Sequence, residues 1–235
     1  MIDHTFVVPN RKPIPNKIAD DPLGQPSISL LVGGCGSGKS TCMANMLMAL
    51  QKRHEFDSAL FVTSNGRDPI IDSISMPVTT NPTDLDEFIT KTRQSKNGTN
   101  HLLVLDDVQG SPNFKIMTNR SHFVEFVLSH RHFGEDPQKP GQNGVWIIMT
   151  AQTLKNSYTP QIRDQVKNWI LYYPRNSIPT QLKAYDELVN DATGMRRAMS
   201  LVKSEGNHAF LFLNKHNSDQ DRYYLGFKES IDDLN

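Results

Sequence analysis

The chain has 235 residues, 25 of them basic and 25 acidic, a length that suits one α/β domain with a full core and is short for two. With balanced charge, bulk electrostatics neither favours nor excludes a polyanionic partner, so any nucleic-acid surface is a local patch. No apolar run approaches the roughly 18 to 20 residues of a membrane-spanning helix, and the start lacks the layout of a signal peptide, so a soluble, non-secreted protein is expected.

In chain order, residues 1–26 form a lead-in arm. Pro9, Pro13, Pro15, Pro22 and Pro26 remove backbone donors there and favour extended or turn structure. Residues 27–235 read as a single domain, with a core to about 175 and an extension over 176–235. Apolar strand-like runs at 28–32, 58–64, 101–107, 145–152 and 169–174 alternate with helical patterns at about 39–53, 84–94, 116–132 and a short one from Pro160. Thr83 with Asp86 predicts a capping box, and Thr159 before Pro160 an N-cap. Unbroken apolar strands separated by helices predict an α/β fold whose mainly parallel sheet is covered by helices on both faces. After Pro174 the pattern predicts two further helices, about 179–190 and 195–204. A β-hairpin with polar residues 215–221 at its turn follows.

The first strand runs into "GGCGSGKST", which fits G-x-x-x-x-G-K-[ST] between a strand and a helix. In this reading the amides of Gly33, Gly34, Cys35, Gly36, Ser37 and Gly38 form an anion nest at a helix N-terminus. Lys39 adds charge to the β- and γ-phosphates, Ser40 takes one Mg²⁺ position, and Thr41 reaches the α-phosphate. Of the two cysteines, Cys35 lies inside this loop and Cys42 in the helix after it. They show neither a metal spacing nor a disulfide framework.

The third strand ends in Asp106 and Asp107. A metal-bound triphosphate needs one carboxylate for Mg²⁺ and a second to orient and deprotonate water; Asp106 fits the first role and Asp107 the second. The next strand ends in Thr150 and Gln152, where an amide can sense a γ-phosphate or align water, or simply be a satisfied strand end. In the helix between, Phe123, Val124, Val127 and Leu128 are expected to face the core. Its end carries His130, Arg131 and His132. These read either as cations complementing a helix C-terminus or, for Arg131, as a finger presented to the phosphates of an adjacent subunit.

Taken together, "GGCGSGKST", "LLVLDD", "SHRH" and "WIIMTAQ" resemble, in order and approximate spacing over residues 27–175, the FtsK/HerA superfamily of DNA-pumping ATPases. The similarity is strongest to the viral genome-packaging branch of poxviruses, giant viruses and virophages. The resemblance implies a RecA-like P-loop NTPase core using ATP and Mg²⁺, and a hexameric or pentameric ring. It also implies translocation of double-stranded DNA into a capsid through contact with capsid or portal components, at a viral assembly site in host cytoplasm or in the virion. By position, Arg131 matches the family's arginine finger and Gln152 its sensor glutamine. Asp107 stands where many relatives carry glutamate, and the segment 134–144 is longer than a plain turn. After the acid pair, Lys115 and Arg120 can neutralise DNA phosphates without reading sequence; the alternative is a solvated loop.

Three rival readings differ in chemistry. A small-molecule kinase shares the phosphate loop, yet paired aspartates and a strand-end glutamine suit water as acceptor better. A GTP switch protein requires an N-K-x-D signature after the acidic strand, and none is present. An ATP-dependent assembly factor with weak or no turnover needs only the binding half of the site.

Overall fold

The computed structural model describes residues 23–64, 75–118, 120–155, 157–176, 178–215, 223–227 and 229–230. Residues 1–22 of the expected 1–26 arm and 216–221 of the expected 215–221 hairpin turn lie outside them.

Strands β1 (Ile28–Val32), β2 (Ser58–Thr63), β3 (Val78–Thr79), β4 (Asn100–Asp106), β5 (Gly144–Ala151), β6 (Asn168–Tyr172), β7 (Phe210–Asn214), β8 (Tyr223–Leu225) and β9 (Glu229–Ser230) form one sheet. Its order is β3-β2-β4-β5-β1-β6-β7-β8-β9. Pairing is parallel from β3 through β6 and antiparallel from β6 through β9, so the C-terminal hairpin extends the same sheet. The expected mainly parallel α/β fold is therefore present, with the two-residue strands β3 and β9 added.

Both faces are apolar because both are covered. Along β1, Leu30 and Val32 point to one face and Leu31 to the other, as a period of two requires. Helix α1 (Lys39–Arg53) packs Met43, Met46, Leu47 and Leu50 on the Leu31 face with Phe61 and Trp146. The opposite face receives α2 (Pro82–Arg93), α3 (Pro112–Thr118), α4 (Ser121–Ser129), α5 (Pro160–Asp164), α6 (Ile178–Asp186) and α7 (Ala192–Glu205), through side chains such as Phe88, Phe123, Ile162, Tyr185 and Met199.

Three expectations about helices are corrected. Helix α2 begins at Pro82, and its cap is Asn81, whose side chain accepts from the Thr83 amide; Asp84 is bonded by Thr79 and Asn81. The Thr83–Asp86 box does not form because a proline at the first helical position sets the start earlier. The single helix expected over 116–132 is two, with the chain in extended geometry at Arg120 before α4 and a 3-10 turn over His130–His132. In α4 the buried stripe is Phe123, Phe126 and Val127, while Leu128 is 39% exposed. The expected cap of α5 is present, with Thr159 at the N-cap position and Pro160 opening the helix, although the Thr159 side chain makes no cap bond.

Register fixes what emerges at the carboxyl edge. Val32 stands beside Ala151, Asp106 beside Thr63, and Leu105 beside Met149. The segments that follow β1, β4 and β5 therefore leave the sheet side by side, although β5 separates the phosphate-loop strand from the acidic strand.

Candidate nucleotide site

After Val32 the chain turns through Gly33–Gly38 into α1. Gly36 (φ 68°) and Gly38 (φ 97°) lie in the left-handed region that favours glycine. A Cβ on Gly33 would come within 2.7 Å of Ser37 Oγ and 2.8 Å of Tyr172 Cβ, so this residue too must be small. The first turn of α1 has neither a side-chain cap nor an acidic residue, and its positive end faces the loop. The buried Ser37 hydroxyl has no hydrogen-bond partner. An uncapped helix start approached by a glycine-rich turn is the arrangement that binds phosphate.

The Lys39 ammonium folds back over the loop, donating to the carbonyls of Gly33 (2.6 Å) and Gly34 (3.1 Å). Burial pulls its pKa below the usual lysine range, against the opposing influence of the Asp107 and then the Asp106 carboxylates. Both acids thus lie within electrostatic reach of the loop's lysine. Ser40 is half-buried; Cys35 and Thr41 are exposed at the rim.

Asp106 ends β4, and its Oδ1 accepts from the Thr150 hydroxyl at 2.8 Å. Asp107 then leaves the strand at φ 50°, ψ 27°, the one non-glycine residue with positive φ among the described residues. Aspartate and asparagine tolerate this conformation better than longer or branched side chains, which gives a local reason for a short acid here. The Asp107 amide donates to Thr150 Oγ1 at 2.8 Å, its carbonyl accepts from Ser64 Oγ at 2.9 Å, and its Oδ2 accepts from Gln152 Nε2 at 2.9 Å.

Among the described residues, no three His, Cys, Asp or Glu side chains cluster as metal ligands. The oxygen donors at this edge nevertheless suit a magnesium ion, which takes one or two protein ligands and completes its shell with phosphate and water. The Ser40 hydroxyl and the Asp106 carboxylate would supply them.

Other predicted residues lie elsewhere. Exposed Arg131 lines a cleft of about 450 Å³ together with Ile28, Asn143 and Lys167, which begin or immediately precede β1, β5 and β6. It therefore sits at the amino end of the strands. The five residues of β1, at about 3.3 Å each, put roughly 15 Å between that end and the chain's own phosphate loop. His130 is not a terminal cation: it is buried, its Nδ1–H donates to the Val127 carbonyl at 2.8 Å, and burial lowers its pKa to about 4. Lys115 on α3 and Arg120 before α4 are exposed, just beyond the acid pair.

Four residues brace the site, and of these only Thr150 falls within a sequence motif. Ser64 and Thr150 hold the Asp107 peptide, as described above. On the other side of the loop, the Tyr172 hydroxyl donates to the Gly38 carbonyl (3.3 Å) and His208 Nδ1 to the Ser37 carbonyl (3.3 Å). The end of β6 and the turn before β7 therefore brace the loop from outside. Only the polar strand end at Thr150 gave any signal.

No protein-family model matches the sequence, and no curated protein does. Solved structures match the fold. The genome packaging NTPase B204 of Sulfolobus turreted icosahedral virus 2, in complex with ATP-gammaS, aligns with a TM-score of 0.59 at 16% identity. The alignment covers 85% of this chain and 96% of that one. The pCW3 conjugation coupling protein TcpA, with ATPgS, aligns at a TM-score of 0.56 and 14% identity, over 90% of this chain and 62% of that one. The cytoplasmic domain of the Type VII secretion ATPase EccC of Thermomonospora curvata gives 0.52 and 12%, over 86% and 25%. At these identities the likeness establishes a shared fold. A viral genome-packaging NTPase thus stands among the structures of the fold to which the motifs pointed.

Proposed function

We propose that this chain is an ATP-hydrolysing DNA translocase that packages viral double-stranded DNA into a capsid, working as a ring of copies. The observation that carries the reading is the convergence, at one sheet edge, of Lys39 on its glycine loop with Asp106, Asp107 and Gln152. The shared fold of B204, a genome packaging NTPase, and of TcpA, a conjugation coupling protein, supports it.

In this reading the amides over 33–41 and the Lys39 ammonium hold the triphosphate. Ser40 and Asp106 would hold Mg²⁺, which would supply charge neutralisation for the phosphoryl transfer. Asp107 takes a proton from the attacking water, and Gln152, hydrogen-bonded to that carboxylate, aligns the two. The bond to the γ-phosphorus breaks at the bridging oxygen, giving ADP and phosphate.

Arg131 serves the phosphates of the next copy, because its position at the amino end of the strands keeps it from those of its own chain. A head-to-tail contact of this kind closes into a ring when the rotation allows. Lys115 and Arg120 neutralise duplex phosphates, and the 3-10 turn over Val108–Gly110 links their segment directly to Asp107. The ring acts at the site of viral assembly against a capsid or portal component.

Phosphate release with and without duplex DNA, measured alongside mass in solution, tests the reading. Stimulation by DNA in an oligomer supports it, and absence of turnover at saturating ATP and DNA refutes it. Nucleotide-dependent oligomerisation without turnover would select an assembly factor instead.

A further inference from the structure

Thr150 is fully buried near the end of β5, one residue beyond the Leu105–Met149 pair, and it touches both acids with one hydroxyl. A hydroxyl has one hydrogen to give and lone pairs to receive. The Asp107 amide can only donate, and it points at Thr150 Oγ1 from 2.8 Å; an ionised Asp106 carboxylate can only accept, and it lies 2.8 Å away. The hydroxyl hydrogen is thereby committed to Asp106, and the three groups form one directed chain from amide to hydroxyl to carboxylate.

The other side of the same peptide is held too. Ser64, just past β2, donates to the Asp107 carbonyl at 2.9 Å. Hydroxyls from the two strands that flank β4 therefore grip the residue that leaves β4 in the left-handed conformation. That conformation is disfavoured for any residue with a Cβ, and it is maintained where surrounding contacts over-determine it. Turning Asp107 back to an extended φ would swing its carboxylate away from Gln152 and break the bonds to Thr150 and Ser64.

We propose that Thr150, seconded by Ser64, is a positioning residue that locks the backbone of Asp107 and fixes the directions of both carboxylates at once. Neither hydroxyl touches nucleotide in this role. A displacement of about 1 Å at a reacting group costs on the order of 10²-fold in rate, so loss of the lock appears in kcat and leaves nucleotide affinity in place.

The test compares Thr150→Val, which keeps the branched shape and removes the hydroxyl, with Thr150→Ser, which keeps the hydroxyl. The kinetic arm rests on the ATPase reading above. Thr150→Val is expected to lower kcat about 10- to 100-fold with nucleotide affinity within about threefold, and Thr150→Ser to stay within about threefold of the parent in both. Amide hydrogen exchange at Asp107, followed by NMR, is the second arm and needs no turnover. Exchange slow in the parent and in Thr150→Ser, but fast in Thr150→Val, supports the lock.

Equal kcat in parent and Thr150→Val, equal loss in the two variants, or Asp107 exchange unchanged by Thr150→Val overturns it. Should Thr150→Val not fold, Thr150→Ala removes the hydroxyl without adding bulk and carries the same expectations. A parent protein with no ATPase activity sinks the functional reading, while the exchange arm still decides the lock.

Discussion

Gln152 Nε2 donates to Asp107 Oδ2 at 2.9 Å, across from a lysine whose charge feels that same carboxylate. The pair links the segment that ends β5 to the side chain of the acid assigned to water. Asp107→Asn preserves shape and tolerance of the left-handed backbone but cannot accept a proton from water. It is expected to bind ATP within about threefold of the parent and to lose about 10²- to 10⁴-fold in kcat. Equilibrium binding of a fluorescent ATP analogue and steady-state phosphate release check the two halves.

Removing the loop's own cation acts on an earlier step. Lys39 is tied to the Gly33 and Gly34 carbonyls, so Lys39→Ala takes away both a charge for the phosphates and a brace inside the loop. Nucleotide binding or turnover is expected to disappear, while the melting temperature without nucleotide changes little because the helix behind the loop keeps its core contacts. Wild-type turnover in Lys39→Ala would contradict the site.

For Arg131 the expectation concerns mixtures. Arg131→Ala purifies folded and inactive, with a loss of about 10³-fold or more. Adding copies with intact Arg131 and Lys39→Ala partly restores activity, since an intact loop then meets an intact arginine. Mixing that restores nothing, despite co-assembly confirmed by native mass spectrometry, would remove the arginine from the reaction.

The two cysteines are expected to react differently. Cys35 is exposed in the phosphate loop, whereas Cys42 is buried in α1 and burial pushes its thiol up to about 12. A maleimide is expected to modify Cys35 alone and to block nucleotide binding; prior saturation with ATP slows the reaction. Cys35→Ser makes the protein indifferent to the reagent. Peptide mass mapping and ATP binding after treatment measure both effects.

His130 sets an acid limit. Its pKa is about 4 in the fold against 6.5 for a free histidine, with burial the main cause and the neighbouring Arg131 and His132 charges adding to it. The unfolded chain therefore takes up more protons than the folded one between those values. This contribution to stability is complete above pH 6.5 and is lost progressively as pH falls towards 4, by roughly 3 kcal/mol in all. Urea midpoints over that range are expected to fall less steeply in His130→Gln than in the parent.

How far the sequence discloses this molecule depends on whether a signal is local. Helix α1 is readable to the residue because the glycine loop fixes its start and extended geometry at His54 fixes its end. The acids are readable because an apolar strand ends in them. Asn81 as the cap of α2 is not, since a threonine–aspartate pair two residues on imitates the same pattern. The division between α3 and α4 escapes periodicity because apolar residues continue on both sides of it. Ser64, Tyr172 and His208 are invisible for a different reason: each meets the site through an approach of chain segments at least 43 residues apart, and no spacing along one segment encodes that.

On the proposed reading, the opposed placement of Arg131 and the phosphate loop would make every copy a donor at one end and a recipient at the other. Catalytic power would then belong to neighbours rather than individuals. Specific activity should consequently climb steeply with protein concentration and collapse on dilution, even while each separated chain still holds its ATP.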